Sequence, residues 1–199
     1  MYNSNVTISS LIEQIESEAD VITRIEDEFY LKWVNIVQQT LYKELIEQYS
    51  HSEVETNGDL YLDDIEVTSE QAPVEYDDIV KIYIDGEELT KASVITAFTI
   101  PDKDIYYYDS ANSVVRIRCK TPYDKINVVY RVRPKIAEET SEYIYLPYEW
   151  LEMLAAKIRG ELYKIANDDV MAAKWLADYN TQLESFKVWI MKRNSRYGE

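Results

Sequence analysis

The chain is poor in the residues that most often carry chemistry or covalent cross-links. It has one cysteine, Cys119, one histidine, His51, four glycines and five prolines among 199 residues. A single cysteine excludes an internal disulfide and a cysteine-based zinc site, and it fits a reducing compartment. A catalytic serine or cysteine paired with a histidine would have to use His51, which we expect to be a solvated loop residue. The sequence therefore predicts that the chain is not an enzyme.

Glycine-rich loops and long apolar runs are also missing. The glycines are isolated along the chain, so no phosphate-binding loop is predicted and nucleotide chemistry is not expected. No stretch reaches 18 apolar residues, so we expect no transmembrane helix and no membrane partner. The first residues lack a basic region followed by an apolar run, so we expect no signal peptide.

Basic residues are scarce relative to acidic ones. The chain carries 21 Lys and Arg against 37 Asp and Glu, which gives a net charge of -16 at pH 7. This balance argues against DNA binding by phosphate neutralisation. The acidity is explained either by solubility or by acids facing DNA that must pass without binding, and both interpretations stay open.

Three pairs of adjacent acids, Asp63–Asp64, Asp77–Asp78 and Asp168–Asp169, are the candidates for metal ligands. No loop around them has EF-hand spacing, so we predict no metal site and no cofactor. The third pair is expected at a helix N-terminus, where the helix dipole favours negative charge.

Apolar residues recur at helical spacing in the first third of the chain. Thr7 or Ser9 is expected to cap a short helix, and a longer helix is predicted from about Asp20 to Gln48. No Pro or Gly interrupts residues 1–50, which favours helical structure across the segment.

The last third again shows helical spacing. Pro147 suits the first turn of a helix, and Asn167 or Asp168 is expected to end that helix and cap the next one. Two helices joined by so short a turn form an antiparallel hairpin. The predicted buried faces are Leu151, Leu154, Ile158, Leu162 and Ile165 on the first helix, and Ala172, Leu176, Tyr179, Leu183, Phe186 and Ile190 on the second.

The middle third alternates apolar and polar residues, as strands do. Asp85-Gly86 predicts one hairpin and residues 109–113 predict the turn of another. Further strands are expected at Ile126–Arg133 and, more weakly, at Asp59–Val67. The predicted fold class is therefore α+β. Residues 1–56 and 147–199 form a helical bundle domain, and residues 57–146 form an inserted small antiparallel β domain.

Several segments, in this order, resemble the head-to-tail adaptor proteins of tailed bacteriophages, which are also called connector or neck ring proteins. They are TISSLIEQI, EFYLKWVNIVQQTLYKEL, the strands VKIYIDGEEL and INVVYRVRP, and LPYEWLEMLAAKIRGELYKIANDDVMAAKWLADYNTQLESF. The acidic, tyrosine-rich and glycine-poor composition is similar to neck proteins of podovirus-type phages, including crAss-like phages. Many relatives have a longer C-terminal extension that docks into the portal. This chain has nine residues after Ile190, so we do not expect such an insertion.

The resemblance implies a structural virion protein. Identical subunits would form a homo-oligomeric ring, a dodecamer in the family's pattern, between the portal protein and a downstream tail or neck protein. Genomic DNA would pass through an acidic lumen without specific binding. The helical bundle would supply contacts between neighbours, and the β domain would project toward the next tail component. The expected location is the neck of the virion, after assembly in the host cytoplasm.

Two groups of residues are candidate contacts with other subunits or partners. Eighteen tyrosines are unusual, and tyrosine is common at protein interfaces and in sugar-binding sites. Three consecutive ones in a strand must put at least one outside, although plain packing stays an open alternative. The second group is basic and near the C-terminus, where it is either a solvated helix end or an ionic contact with an acidic neighbour. The two groups are Tyr106, Tyr107 and Tyr108, and Lys187, Lys192, Arg193 and Arg196.

Alternatives of another class remain. The chain is alternatively a carbohydrate- or protein-binding module that uses a tyrosine-rich sheet face. A hydrolase with a carboxylate pair is a third interpretation, although no two acids stand out. Cys119 lies between Arg118 and Lys120, which could lower its pKa, but an inert strand cysteine is the favoured interpretation.

Overall fold

A computed structural model describes residues 4–18, 25–51, 57–65, 70–99 and 103–197. Within these ranges the helices are α1 (Ile8–Glu18), α2 (Asp27–Leu41), α3 (Val94–Thr99), α4 (Leu151–Ile165) and α5 (Asp169–Asn194). The strands are β1 (Ile46–His51), β2 (Asn57–Tyr61), β3 (Ile79–Ile84), β4 (Glu87–Glu88), β5 (Thr90–Lys91), β6 (Ile105–Asp109), β7 (Val114–Arg118) and β8 (Ile126–Arg131). The predicted α+β class, with helices at both ends of the chain and an inserted β region, is confirmed.

The chain divides into two compact units. The helical unit takes its residues from Met1–Glu44 and Pro134–Glu199, and the β unit is Leu45–Arg133. The predicted β domain spanned residues 57–146, so both boundaries lie earlier in the chain than the sequence indicated. The N-terminal boundary of the β unit lies at Leu45 because the following residues form β1, where the sequence predicted a helix.

The predicted helix from Asp20 to Gln48 is wrong at its C-terminal end, and residues 19–24 lie outside the described residues. The helix α2 ends at Leu41, and after one 3-10 turn the chain forms β1, which pairs antiparallel with β8. Leu45 and Ile46 are adjacent and both buried, at 0% and 2% exposure. The spacing of apolar residues alone predicts that the helix continues through Leu45. Pairing of β1 with β8 overrides this local pattern.

At the C-terminal boundary of the β unit, polar side chains of α2 form hydrogen bonds with residues 134–145, which therefore belong to the helical unit. Asn35 exchanges two hydrogen bonds with the backbone of Ala137, at 2.9 and 2.8 Å. Gln39 donates to the carbonyl oxygen of Pro134 at 2.7 Å, and the buried Gln38 accepts from the amide of Tyr145 at 2.5 Å. These bonds satisfy backbone groups that a strand would otherwise pair, so this segment belongs with the helices.

The predicted helix starts are confirmed where the structure shows their caps. The hydroxyl of Thr7 accepts from the amide of Ser10 at 3.3 Å, so Thr7 caps α1. The carboxylate of Asp168 accepts from the amide of Met171 at 3.0 Å, so Asp168 caps α5. Asn167 supplies the left-handed residue of the turn, with φ 57.

The α4–α5 hairpin forms as predicted, and α4 is buried on most of its circumference. Leu154, Ile158 and Leu162 are at most 2% exposed, whereas Ile165, which the pattern placed on the same face, is 51% exposed. A Cβ atom built at Gly160 would lie 2.7 Å from two side-chain atoms of Leu176. Glycine at this position therefore allows α4 and α5 to approach closely.

The β unit contains two four-stranded sheets, with strand orders β1-β8-β3-β4 and β2-β7-β6-β5. Both predicted hairpins are confirmed, β3–β4 around Asp85-Gly86 and β6–β7 around residues 110–113. Asp85 and Gly86 have φ values of 48 and 91, as a tight hairpin turn requires. The β5–β6 pair is parallel, which the sequence did not predict. The weak strand expected at Asp59–Val67 is β2, which ends at Tyr61.

Candidate interaction surfaces

The three consecutive tyrosines of β6 do not have equal exposure. Tyr106 is 2% exposed, whereas Tyr107 and Tyr108 are half-buried. Burial is the main cause that raises the pKa of Tyr106 to about 12, and neighbouring Tyr76 and Glu88 add to it. The prediction that Tyr106 is a contact residue is wrong, because its side chain is buried in the sheet. The accessible tyrosine surface of β6 belongs to Tyr107 and Tyr108.

Tyr108 lies in a groove of the β unit, which we call the acidic tyrosine groove. It has a volume of about 620 Å³, and its lining includes Tyr61, Asp63, Val74, Tyr76, Asp77 and Tyr108. The rings of Tyr76 and Tyr108 stack with centroids 5.0 Å apart and planes 19° apart. The ammonium group of Lys91 lies 4.2 Å from the centroid of Tyr76. The groove thus presents aromatic rings, one of which already contacts a cation.

The carboxylates around this groove fall into two kinds. Glu75 and the buried Asp78 both pair with Arg133, at 2.6 and 3.0 Å, so their charge is compensated. Asp63 and Asp77 are exposed, and neither carboxylate has an ionic partner among the residues the structure describes. The groove therefore carries two uncompensated negative charges at its rim.

Tyr107 belongs to a different surface, the outer face of the β2-β7-β6 strands. It lies opposite Arg116 in the β6–β7 ladder. Arg116 bonds Asp59 at 2.5 Å and Asp109 at 3.1 Å. Hydrogen bonds from Asn112 and then Arg116 lower the pKa of Asp109. Asp59 and Asp109 are thus both engaged by the guanidinium of Arg116.

The four basic residues near the C-terminus also separate. Lys187 pairs with Glu184 at 2.8 Å, and this bond is the main cause that raises the pKa of Lys187. The other three, together with Trp189, line a depression of about 420 Å³ that we call the basic α5 end; its residues are Trp189, Lys192, Arg193 and Arg196. The guanidinium of Arg193 lies 5.7 Å from the ring centroid of Trp189.

A surface that the sequence analysis missed lies on α3. Ile95 and Phe98 are 78% and 79% exposed, and their spacing of three residues puts them on one side of the helix. Only Ala97 of this helix is buried. The apolar run VITAF was the available signal, but it is too short to predict which of its residues face the solvent.

The two candidates for chemistry, His51 and Cys119, lie at the ends of different strands. His51 ends β1, where a loop was expected, and its partner in the register is Ile126. Cys119 is buried, and burial, with Asp104 and Asp85 nearby, raises the pKa of its thiol to about 11. The neighbouring bases in the sequence therefore do not activate it. Within the described residues, no three metal-ligating side chains cluster, and no helix is long and apolar enough to cross a membrane.

No protein-family model matches the chain, and no curated protein matches it significantly. The resemblance to phage adaptors therefore rests only on the sequence segments quoted above.

Proposed function

We propose that the chain is a structural subunit of a phage virion, a head-to-tail adaptor that forms a ring between the portal protein and a downstream tail or neck protein. In this proposal the chain acts without a cofactor and catalyses no reaction. Its proposed role is structural: each subunit contacts neighbouring copies of the chain and the portal protein.

The observation that carries this proposal is the exposed apolar side of α3. Two large side chains at nearly four-fifths exposure, Ile95 and Phe98, on one six-residue helix are costly in water. Burying each at an interface would recover roughly 1.5–3 kcal/mol. Exposed apolar clusters of this kind mark sites of protein association. A subunit made to be covered by a neighbour accounts for them.

The charge distribution supports the same proposal. The β unit, Leu45–Arg133, carries 18 acids and nine bases, so it is strongly negative. Such a surface repels DNA phosphates, as the wall of a DNA-conducting channel must. A twelvefold stoichiometry and a location in the neck follow only from the family resemblance and belong to the proposal.

The test compares the wild type with an Ile95→Ser/Phe98→Ser variant. The matched control is Ile136→Ser/Val170→Ser, which removes two side chains of similar exposure, 66% and 79%, from the helical unit. Native mass spectrometry and negative-stain imaging, with and without the portal protein, would report ring formation. We expect the wild type and the control to form rings on the portal and the α3 variant to lose them. A wild type that stays monomeric with the portal present would refute the proposal.

A second candidate function is a carbohydrate- or protein-binding module. The specific observation that favours it is the acidic tyrosine groove, because exposed tyrosine rings stack on sugars and on partner side chains. Tyr61, at 51% exposure, is the ring most available for this. A monomer whose tyrosine fluorescence titrates with glycans, and whose response is lost in Tyr61→Ala, would favour this function over the ring.

A further inference from the structure

We propose that the acidic tyrosine groove of one copy binds the basic α5 end of a second copy. The inference rests on the proposed ring function and names the contact between neighbouring subunits. It is carried by complementary charge and by complementary side-chain chemistry on the two surfaces.

The groove offers what a cationic side chain needs. Tyr61 is 51% exposed, and Tyr108, which stacks on Tyr76, is half-buried in the groove lining. Lysine and arginine bind over aromatic faces, and Lys91 already does so at Tyr76, at 4.2 Å. Asp63 and Asp77 add two carboxylates that lack an ionic partner within the described part of the chain. Aromatic faces flanked by free carboxylates select a cation over an anion.

The basic α5 end offers the matching partner. Residues 187–197 contain four bases and no acid, whereas the whole chain has a net charge of -16. Trp189, Lys192 and Arg193 follow the spacing i, i+3, i+4, which puts them on one side of α5, and Arg196, in the 3-10 turn after the helix, lines the same depression. Lys192 and Arg196 are exposed, and neither has an ionic partner among the described residues. The end therefore presents a single cationic face with a large aromatic side chain.

The geometry of such a contact is head-to-tail. The groove belongs to the β unit and the basic end to the helical unit, so the two surfaces are different patches of the same chain. A contact between different patches is heterologous and leaves one free patch on each partner. Repetition then adds copies until the rotation closes, which is how a ring with more than two subunits is built.

The test uses charge reversal in the full chain and measures self-association by sedimentation equilibrium. One variant reverses the basic end, Lys192→Glu/Arg196→Glu, and another reverses the groove, Asp63→Lys/Asp77→Lys. A third variant carries all four changes. Concentrations extend to roughly 1 mM, where even a contact with a Kd of about 1 mM is substantially populated.

Matched controls separate the contact from a change in net charge. Lys43→Glu/Lys135→Glu matches the first variant, and Glu87→Lys/Asp124→Lys matches the second, all at exposed positions outside the two surfaces. Reversal of the groove lowers the net negative charge, so general repulsion between copies would fall and association would strengthen. The proposal predicts instead that reversal of the groove weakens self-association, which makes this variant the most discriminating one.

We expect each reversal to weaken association by about tenfold or more relative to its control, since each removes two ion pairs worth up to about fivefold each and adds repulsion. The fourfold variant should return to within about threefold of the wild type. Equal behaviour of a reversal and its control, or no association of the wild type at roughly 1 mM, would overturn the proposed contact.

The outcomes also separate this inference from the ring itself. Rings that form on the portal in every variant would overturn the groove contact and leave the adaptor function standing. Charge-dependent pairs of copies that never form rings would support the contact and count against the adaptor function. A groove reversal that leaves self-association unchanged but removes the chain from particles would assign the groove to another virion protein, and the inference would be wrong.

Discussion

Replacing Gly160 by alanine measures how closely α4 and α5 approach each other. On helix propensity alone, a Gly→Ala change inside a helix stabilises the protein by about 1 kcal/mol. Here the new Cβ would lie 2.7 Å from both Cγ and Cδ2 of Leu176 and 3.3 Å from its backbone nitrogen. Cγ is close to the main chain and cannot rotate far away, so the helices must separate or Leu176 must leave its rotamer.

The expected magnitude follows from these distances. Overpacking of this kind costs about 2–3 kcal/mol, at the upper part of the usual range. After the gain in propensity, Gly160→Ala should destabilise the helical unit by about 1–2 kcal/mol. In a Leu176→Ala background the two side-chain contacts are removed and only the 3.3 Å contact with the backbone nitrogen remains, so the same change should stabilise by up to about 1 kcal/mol. The coupling energy between the two positions is then up to about 2–3 kcal/mol.

The assay is urea unfolding followed by tryptophan fluorescence. All four tryptophans lie in residues 1–44 or 134–199, so this signal reports the helical unit and is insensitive to the β unit. Ala177→Gly, at an exposed position of α5, gives the propensity difference in the same protein without a packing change. If Gly160→Ala is as stabilising as Ala177→Gly is destabilising, the close approach of the two helices is refuted.

Four further predictions test the helical core, the buried Cys119 thiol and the expectation that no metal is bound. Leu154→Ala should cost roughly 2–5 kcal/mol, because Leu154 is 0% exposed, and a loss under about half a kcal/mol would show that α4 is not core. Arg159 is 1% exposed, bonds Glu18 and Glu152, and lies 4.7 Å from the ring of Trp175. Glu18→Gln/Glu152→Gln, which leaves that charge buried without a compensating negative charge, should therefore lower the urea midpoint more than Arg159→Met does; the reverse order would contradict this account. The pKa of the Cys119 thiol is raised from 9.0 to about 11, so the stability it contributes is complete below pH 9 and is lost as the pH rises toward about 11. A Cys119→Ala variant should reduce the alkaline slope in unfolding titrations, to which Tyr106 also contributes because its pKa is raised, and an unchanged slope would show that Cys119 does not contribute. Chelator treatment should leave the Tm unchanged, and a large fall would reveal a metal site.

The sequence predicted most of the secondary structure where local signals and packing agree. The helix caps at Thr7 and Asp168 and the hairpin at Asp85-Gly86 depend on side chains within a few residues, and all three are confirmed. The strand β1 was missed because its pairing partner, β8, lies about 80 residues later in the chain. The helix α2 ends at Leu41 because the next segment pairs with the distant strand β8. A local sequence pattern cannot show such a pairing.

The sequence predicted some of the residues in the candidate surfaces, but it did not predict which residues the fold brings together. The three tyrosines of β6 were identified as contacts, yet burial removes Tyr106 and the sheet separates Tyr107 from Tyr108. The groove around Tyr108 is completed by Tyr61 and Tyr76, which come from other segments, and neither was singled out from sequence. A groove depends on which segments become neighbours, and that follows from the tertiary fold.

The proposed contact also explains how a subunit with a net charge of -16 could assemble at all. Repulsion between exposed charges more than a Debye length apart, about 8 Å at physiological salt, is largely screened. An ion pair formed in direct contact, such as Lys192 with Asp63 in the proposed interface, is screened less because little electrolyte separates the two groups. Free copies would then associate only weakly, with measurable pairing at concentrations approaching roughly 1 mM. On a portal that holds many copies side by side, the effective concentration rises by orders of magnitude, and the same weak pairs become sufficient to close a ring.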